Sequence, residues 1–194
     1  MTRKYELKQR ALSQAETRQR IVDATVELHA ALGPARTTIS AIAERAGVQR
    51  LTVYRHFPDD RALFTACGSQ WRAGHPMPDP SGWAGIEDPA KRLATALREI
   101  YAWFATTEEM TANVLRDAPE LPVLHELTAP LRQYWQTVQG VLERGWEARG
   151  ERAERVQAVI GHAIEFGTWR SLARTHGLDD AEAADLMVRL ARVV

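Results

Sequence analysis

Apolar positions recur every three or four residues along most of the chain, the spacing of one face of an α-helix. The first such stretch runs from Thr17 to Leu32 and ends at the Gly33-Pro34 pair. Apolar and polar residues do not alternate over any stretch in the way that a half-buried strand requires. The pattern therefore predicts an all-α protein.

Two short helices follow the first one. Thr38 is placed to cap a helix over residues 39–46, and Gly47 supplies the sharp turn that ends it. A third helix is predicted over residues 49–57, and Asp59 or Asp60 is placed to cap a fourth. Two short helices joined by a glycine turn are typical of a helix-turn-helix.

The rest of the chain divides at its prolines and glycines. Residues 74–85 are rich in proline and are predicted to be irregular. Helices are then predicted over residues 89–106 and, weakly, over 108–116. A long helix with Pro130 in its first turn is predicted to end at Gly150, and further helices are predicted over 152–176 and after Asp179 or Asp180. The predicted organisation is a flexible basic arm at 1–15, a three-helix helix-turn-helix unit at 16–73, a Pro/Gly-rich connection at 74–88 and a helical domain at 89–194.

The net charge of zero conceals an uneven distribution, since residues 1–56 carry ten basic and five acidic side chains. A basic end on an otherwise acidic chain suggests a surface for a polyanion. Arg3, Lys4, Lys8 and Arg10 stand in the predicted arm. Such an arm either enters a DNA minor groove or is a solvated tail, and the sequence leaves both open.

The helix-turn-helix stretch carries the predicted chemistry. Packing of Val48, Val53 and Phe57 would leave the opposite side of the third helix exposed, as a helix that enters the major groove requires. Arg50 is suited to donate two hydrogen bonds to a guanine, and the hydroxyl and imidazole groups are suited to phosphates. The candidate DNA-binding residues are Thr38, Gln49, Arg50, Leu51, Thr52, Tyr54, Arg55 and His56.

Residues 17–64 resemble the DNA-binding head of the TetR family of bacterial regulators. The matching features are Gly33 before Thr37-Thr38, Ile42-Ala43, Ala46-Gly47-Val48, Thr52, Tyr54, His56-Phe57 and Leu63. The chain departs from the family pattern at Gln49, where a capping serine is usual, at bulky Leu51, and at Asp60, where a lysine is common. The resemblance implies a dimeric, ligand-responsive regulator, a repressor that leaves a palindromic DNA operator when it binds its effector.

The resemblance also implies that the last two helices form the homodimer and that the C-terminal domain holds a ligand cavity. Four of the six tryptophans stand in the helices of that domain, which suits a small apolar or aromatic effector. The candidate dimer-interface residues are Gly161, Gly167, Leu186, Met187, Leu190 and Val194. The candidate pocket residues are Trp103, Met110, Leu115, Trp135, His162, Phe166 and Trp169. Aromatic residues at helical spacing also fit a packed core, and that alternative stays open.

Other functions find less support in the sequence. No two histidines stand three or four residues apart, and no Gly-x-Ser-x-Gly motif is present, so we expect neither an enzyme, a metal site nor a cofactor. The single cysteine and the lack of a long apolar stretch predict a cytoplasmic protein with no membrane partner. The alternative is a helical ligand- or partner-binding module whose N-terminal unit has lost specific DNA recognition, which Gln49, Leu51 and Asp60 favour.

Overall fold

The structure, a computed structural model, describes residues 3–194 apart from the side chains of Arg3, Lys4, Glu6 and Leu7. Within this range all regular secondary structure is helical, which confirms the predicted fold class. The helices are α1 (Arg3–Ala31), α2 (Ile39–Ala46), α3 (Arg50–His56), α4 (Asp60–Gly74), α5 (Ser81–Ala84), α6 (Pro89–Asp117), α7 (Pro122–Leu127), α8 (Ala129–Leu142), α9 (Glu151–Ala163), α10 (Phe166–Arg170) and α11 (Asp180–Val193).

The chain forms two compact units, and their boundaries differ from the predicted domains. One unit comprises Met1–Pro76 with Glu108–Leu127, and the other comprises Met77–Thr107 with Thr128–Val194. The last part of α6 and all of α7 therefore belong with the helix-turn-helix rather than with the C-terminal helices. Among the helices described, none is both long and apolar enough to cross a membrane.

Helix α1 begins much earlier than the sequence pattern predicted. It is continuous from Arg3, whereas we predicted an irregular arm through residue 15. Residues 8–12 are Lys, Gln, Arg, Ala and Leu, all strong helix formers, so they extend the helix although no core covers them. Of the predicted arm, Met1 and Thr2 lie outside the described residues, as do the side chains of Arg3 and Lys4.

The core of the first unit fixes the helix-turn-helix. Ile21 from α1, Ile42 from α2, Val53 from α3 and Leu63 from α4 are all buried and belong to one cluster. Full burial of an aliphatic side chain contributes about 1.5–3 kcal/mol, so this cluster orders the two short helices, which would not be stable alone. The core lies where the sequence predicted it.

Local signals set the turn between α2 and α3. The Oγ1 atom of Thr38 accepts a hydrogen bond from the backbone N–H of Ala41 at 3.1 Å, as the predicted cap requires. Gly47 has φ 64° and ψ 41°, the left-handed conformation that a side chain resists. These two residues fix where α2 begins and where the chain turns into α3.

The end of α6 is fastened to the end of α1 by polar contacts within the first unit. Nδ2 of Asn113 donates to the Ala30 carbonyl at 2.5 Å, and Nη2 of Arg116 donates to the Leu32 carbonyl at 2.9 Å. The buried carboxylate of Asp117 accepts from the backbone N–H of Ala35 at 3.0 Å and pairs with Arg116. We call this group of contacts, made by Asn113, Arg116 and Asp117, the α1–α6 clasp.

Four predictions for the helices after residue 74 are wrong. The helix predicted to run up to Gly150 ends at Leu142. Residues 81–84 form the short helix α5, because the prolines end at Pro80 and Asp79 accepts the first helical N–H. Residues 108–116 continue α6 without a break. The helix predicted over 152–176 is interrupted at Ile164–Glu165 and ends in a π-helical segment, Ser171–Thr175, because its apolar positions do not keep one helical face.

An aromatic cluster fills the interior of the second unit. Phe104 lies at its centre, with ring centroids 5.3 Å from Phe166, 5.7 Å from Trp169 and 5.8 Å from Trp135. Trp103 packs against both Phe104 and Trp135. These distances are those of directly packed rings, so the cluster is part of the core.

Candidate nucleic-acid interface

Helix α3 has one buried side and one exposed side. Val53 is fully buried, and Phe57 at the end of the helix is 2% exposed. On the other side Arg50, Tyr54 and Arg55 are exposed, while Leu51 is 76% exposed. The outer face of α3 therefore combines two arginines with a tyrosine and an apolar leucine side chain.

Two hydrogen-bonding side chains stand at the start of α2 and α3. Thr38 is exposed, and since its oxygen accepts the capping hydrogen bond, its hydroxyl proton stays available to a phosphate. Gln49 is the N-cap residue of α3, is exposed, and makes no side-chain capping bond. Thr52 is half-buried on the first turn of α3. The predicted residues therefore lie together, along α3 and the N-terminus of α2.

His56 differs from the outward phosphate ligand that the sequence suggested. It is half-buried, and its Nε2 atom is enclosed with no hydrogen-bond partner. Burial lowers the pKa of His56, and the nearby charges of Arg55 and Arg18 lower that pKa further. Both effects favour the neutral form of the imidazole ring.

Arg18 was not among the predicted residues, yet the structure places it beside α3. Its guanidinium lies over the ring of Phe57, 4.4 Å from the ring centroid. Arg18 precedes buried Ile21 by three residues, which puts it on the inward side of α1, and that spacing is the signal that the sequence offered. Arg45, by contrast, is paired with Glu27 at 2.6 Å.

The departure at Asp60 has a structural explanation. The carboxylate that caps α4 belongs to Asp59, which accepts from the backbone N–H of Ala62 at 2.7 Å. Asp60 is the first residue inside the helix and is exposed. A carboxylate in the first turn stabilises the helix through its dipole, whereas it would repel a phosphate.

The second unit carries an apolar groove between α10, the π-helical segment and α11. Five of the predicted dimer or pocket residues line it, and four of them are exposed: His162, Gly167, Leu186 and Leu190. His162 is largely exposed there, on the outer side of α9, and does not lie in the aromatic cluster. Met187 also lines the groove, although it is only 4% exposed.

Two of the predicted dimer residues have other surroundings. A Cβ atom added to Gly161 would lie 3.4 Å from Nε2 of Gln139, so Gly161 faces α8 of its own chain. Val194 is half-buried, whereas the neighbouring Val193 is 79% exposed and lines the groove. The apolar rim of the groove therefore consists of Leu186, Leu190 and Val193.

The seven predicted pocket residues do not form one site. Trp103, Trp135, Phe166 and Trp169 lie together in the aromatic cluster. Met110 is buried and Leu115 is 53% exposed, and both lie in the part of α6 that belongs to the first unit. The sequence pattern missed this division because α6 continues through it without a proline or glycine.

The chain has a helix-turn-helix with an exposed basic helix, and a second helical unit follows, with no strand in the described residues. This arrangement is that of a helix-turn-helix transcriptional regulator. The family model described as "Bacterial regulatory proteins, tetR family" matches residues 21–67. The HTH-type transcriptional regulator SrpR of Pseudomonas putida is 46% identical over 178 residues, covering 75% of this chain and 83% of SrpR. The chain belongs to the tetR family of bacterial regulatory proteins.

Solved structures share the fold. A TetR-like transcriptional regulator from Rhodococcus sp. RHA1 has a TM-score of 0.63 at 20% identity, covering 91% of this chain and 93% of that one. FadR of Thermus thermophilus, a transcriptional repressor in complex with lauroyl-CoA, has a TM-score of 0.50 at 23% identity, covering 90% and 93%. Because the family model and SrpR are those of transcriptional regulators, the alternative of a module without DNA recognition is not favoured.

Proposed function

We propose that the protein is a dimeric repressor that binds a palindromic operator through α3 and is released by a small apolar or aromatic effector. The observation that carries the proposal is the outer face of α3, where the side chains of Arg50, Leu51, Tyr54 and Arg55 are all exposed. The buried side of the same helix holds that face rigid, as base readout requires.

The apolar groove of the second unit supports a dimer. Leu186 and Leu190 are each about two-fifths exposed, and Val193 is exposed beside them. A continuous apolar strip of this kind is unfavourable in water and is typical of a protein interface. A homodimer with two-fold symmetry would present two α3 helices, which agrees with a palindromic site.

The aromatic cluster supports an apolar or aromatic effector. Trp103 and Trp135 are half-buried at its edge, so the rings are partly accessible without unfolding the core. Apolar walls with few polar groups bind apolar ligands. FadR, which shares the fold, is described as a repressor bound to lauroyl-CoA.

Selection of DNA duplexes from a random library by the purified chain tests the proposal. We expect enrichment of a palindrome whose half-sites are centred about 34–36 Å apart, one turn of the double helix. A panel of aromatic and fatty-acyl compounds is then screened for release of the enriched duplex, and fluorescence anisotropy of the labelled duplex measures that release. Enrichment of no palindrome contradicts operator binding, and release by none of the compounds contradicts the effector class.

A further inference from the structure

Arg18 places a positive charge at the C-terminal end of α3, although it belongs to α1. Its guanidinium lies over the ring of Phe57, the residue that ends α3, at 4.4 Å from the ring centroid. Phe57 is only 2% exposed, whereas the side chain of Arg18 is exposed. A cation–π contact positions the guanidinium without requiring its N–H donors. The charge is therefore held in one place while the donors stay accessible.

Arg18 has no anionic partner in the part of the chain that the structure describes. Its side chain forms neither an ion pair nor a hydrogen bond with any other described residue. Two other arginines of the same unit differ, since Arg45 is paired with Glu27 and Arg61 with Glu126. The N–H donors of Arg18 are thus available to a ligand.

Other basic groups share this end of α3. The charges of Arg55 and Arg18 both lower the pKa of the half-buried His56, so the three side chains lie close together. No carboxylate of the described chain is among the groups that shift this pKa. The nearest carboxylate along the chain, that of Asp59, accepts the capping hydrogen bond of α4. Like charges grouped in this way repel one another, and an anion from outside the protein would relieve the repulsion.

We infer that Arg18 is a DNA-binding residue of α1, which contacts a phosphate of the operator backbone beside the C-terminal end of α3. The inference rests on DNA binding by α3 and adds a contact from a second helix. When a recognition helix lies in the major groove, the phosphates at the edges of that groove lie close to its ends. A guanidinium fits a phosphate because it can donate two parallel hydrogen bonds. Such a contact carries no sequence information and fixes the orientation of α3 in the groove.

The test compares Arg18→Gln and Arg18→Lys with the wild-type chain, on the selected operator and on a random duplex, at several salt concentrations. Glutamine removes the charge and keeps helix propensity, whereas lysine keeps both. For Arg18→Gln we expect about tenfold weaker binding to both duplexes and a salt slope reduced by roughly one per protomer. Arg18→Lys should retain the wild-type slope. A residue that only packs on Phe57 would leave the slope unchanged in both variants.

Uncharged methylphosphonates, placed one at a time in the operator backbone, locate the contact. At one phosphate of each half-site, the replacement should weaken binding by the wild-type chain but not by Arg18→Gln. The matched control is Arg72→Gln, which removes an exposed charge of the same unit. Arg72 stands twelve residues, or about 18 Å, along α4 from its first residue, Asp60. This variant should keep the wild-type slope and the wild-type response at every phosphate.

The outcomes separate this inference from the proposed function. If the wild-type chain enriches a duplex but Arg18→Gln behaves like the Arg72→Gln control, the inference is wrong while the proposed function stands. A lower melting temperature of Arg18→Gln with weaker binding but an unchanged slope would also overturn it, because Arg18 would then act only in folding. Enrichment of no duplex by the wild-type chain would contradict both.

Discussion

Arg50 occupies the first position of α3, where side chains of a recognition helix reach base edges. Among the described residues it has no ion-pair partner, so its guanidinium is not already committed to a carboxylate. Leu51 follows it and is the most exposed leucine of the molecule as described. An apolar contact from Leu51 to a thymine methyl would add to readout by Arg50.

Replacement of Arg50 by alanine should weaken binding to the selected duplex by about 1–3 kcal/mol, or roughly 5- to 150-fold, because a guanine then loses two hydrogen bonds. Anisotropy titrations on the selected and on a random duplex measure the difference. Arg45→Ala is the matched control, since Arg45 is already paired with Glu27. Equal losses on both duplexes would show that Arg50 contacts only phosphate.

The second prediction at this scale concerns His29, which is buried with its Nδ1 atom 3.6 Å from Sγ of Cys67. Burial lowers the pKa of His29 to about 4, although the Asp117 charge acts in the opposite direction. The unfolded chain therefore binds the proton more readily than the folded chain. The stability that neutral His29 provides is present above about pH 6.5 and is lost as the pH falls toward 4.

Urea unfolding at pH 7 and pH 5 measures this effect. We expect the wild-type free energy of unfolding to fall by about 2 kcal/mol more than that of His29→Gln, which cannot titrate in this range. A variant with the same pH dependence as wild type would show that folding does not lower the pKa of His29.

At the scale of elements, the two glycines that flank α2 differ in their surroundings. Gly47 has φ 64°, and an added Cβ atom would meet only the Arg20 side chain at 3.8 Å. Gly33 has φ 94°, and an added Cβ atom would collide with Arg116 and Asp117 of the α1–α6 clasp. At Gly33, therefore, an added side chain would strain the backbone and would also collide with packed side chains.

Gly47→Ala should therefore lower the free energy of unfolding by about 1 kcal/mol, the usual cost of a left-handed alanine. Gly33→Ala should cost more, about 2–4 kcal/mol, because the clasp must open as well. Urea titration at pH 7 gives both values, and adding Gly33→Ala to the double variant Arg116→Ala/Asp117→Ala separates strain from collision, because both colliding side chains are then absent. A smaller loss for Gly33→Ala than for Gly47→Ala would contradict this account of the clasp.

Elements whose signals are local were predictable from sequence. The range of α2, its Thr38 cap and the Gly47 turn were predicted residue by residue, because each depends on neighbours within four positions. The start of α1 and the continuity of α6 were not predictable in this way, since exposed helix formers carry no apolar period. The clasp joins residues 82 to 84 positions apart in sequence, and no local pattern indicates such a pairing.

The candidate site likewise has some features that the sequence predicts and others that depend on tertiary packing. The exposure of Arg50, Leu51, Tyr54 and Arg55 follows from helical period once Val53 is known to be buried. The position of Arg18, on α1, close enough to lower the pKa of His56 on α3 depends on tertiary packing. The grouping of aromatic residues from α6, α8 and α10 also depends on tertiary packing, which spacing along one helix does not give.

At the scale of the whole molecule, binding to a palindromic site depends on dimer formation. If the apolar rim of the groove forms the dimer, Leu190→Glu places a charge in the interface and should yield monomers, seen by sedimentation velocity at micromolar concentration. Leu51→Glu, an equal change at an exposed leucine of α3, should leave the dimer intact. A dimeric Leu190→Glu protein would contradict this assignment of the interface.

The indole groups of the aromatic cluster give the molecule an intrinsic optical signal. Trp169 is fully buried and donates from Nε1 to Asp180 at 2.8 Å, whereas Trp103 and Trp135 lie half-buried at the edge of the same cluster. A compound that settles against these rings changes the polarity around them, and so shifts or quenches their fluorescence. The unlabelled protein is thus its own reporter for discovering what it senses.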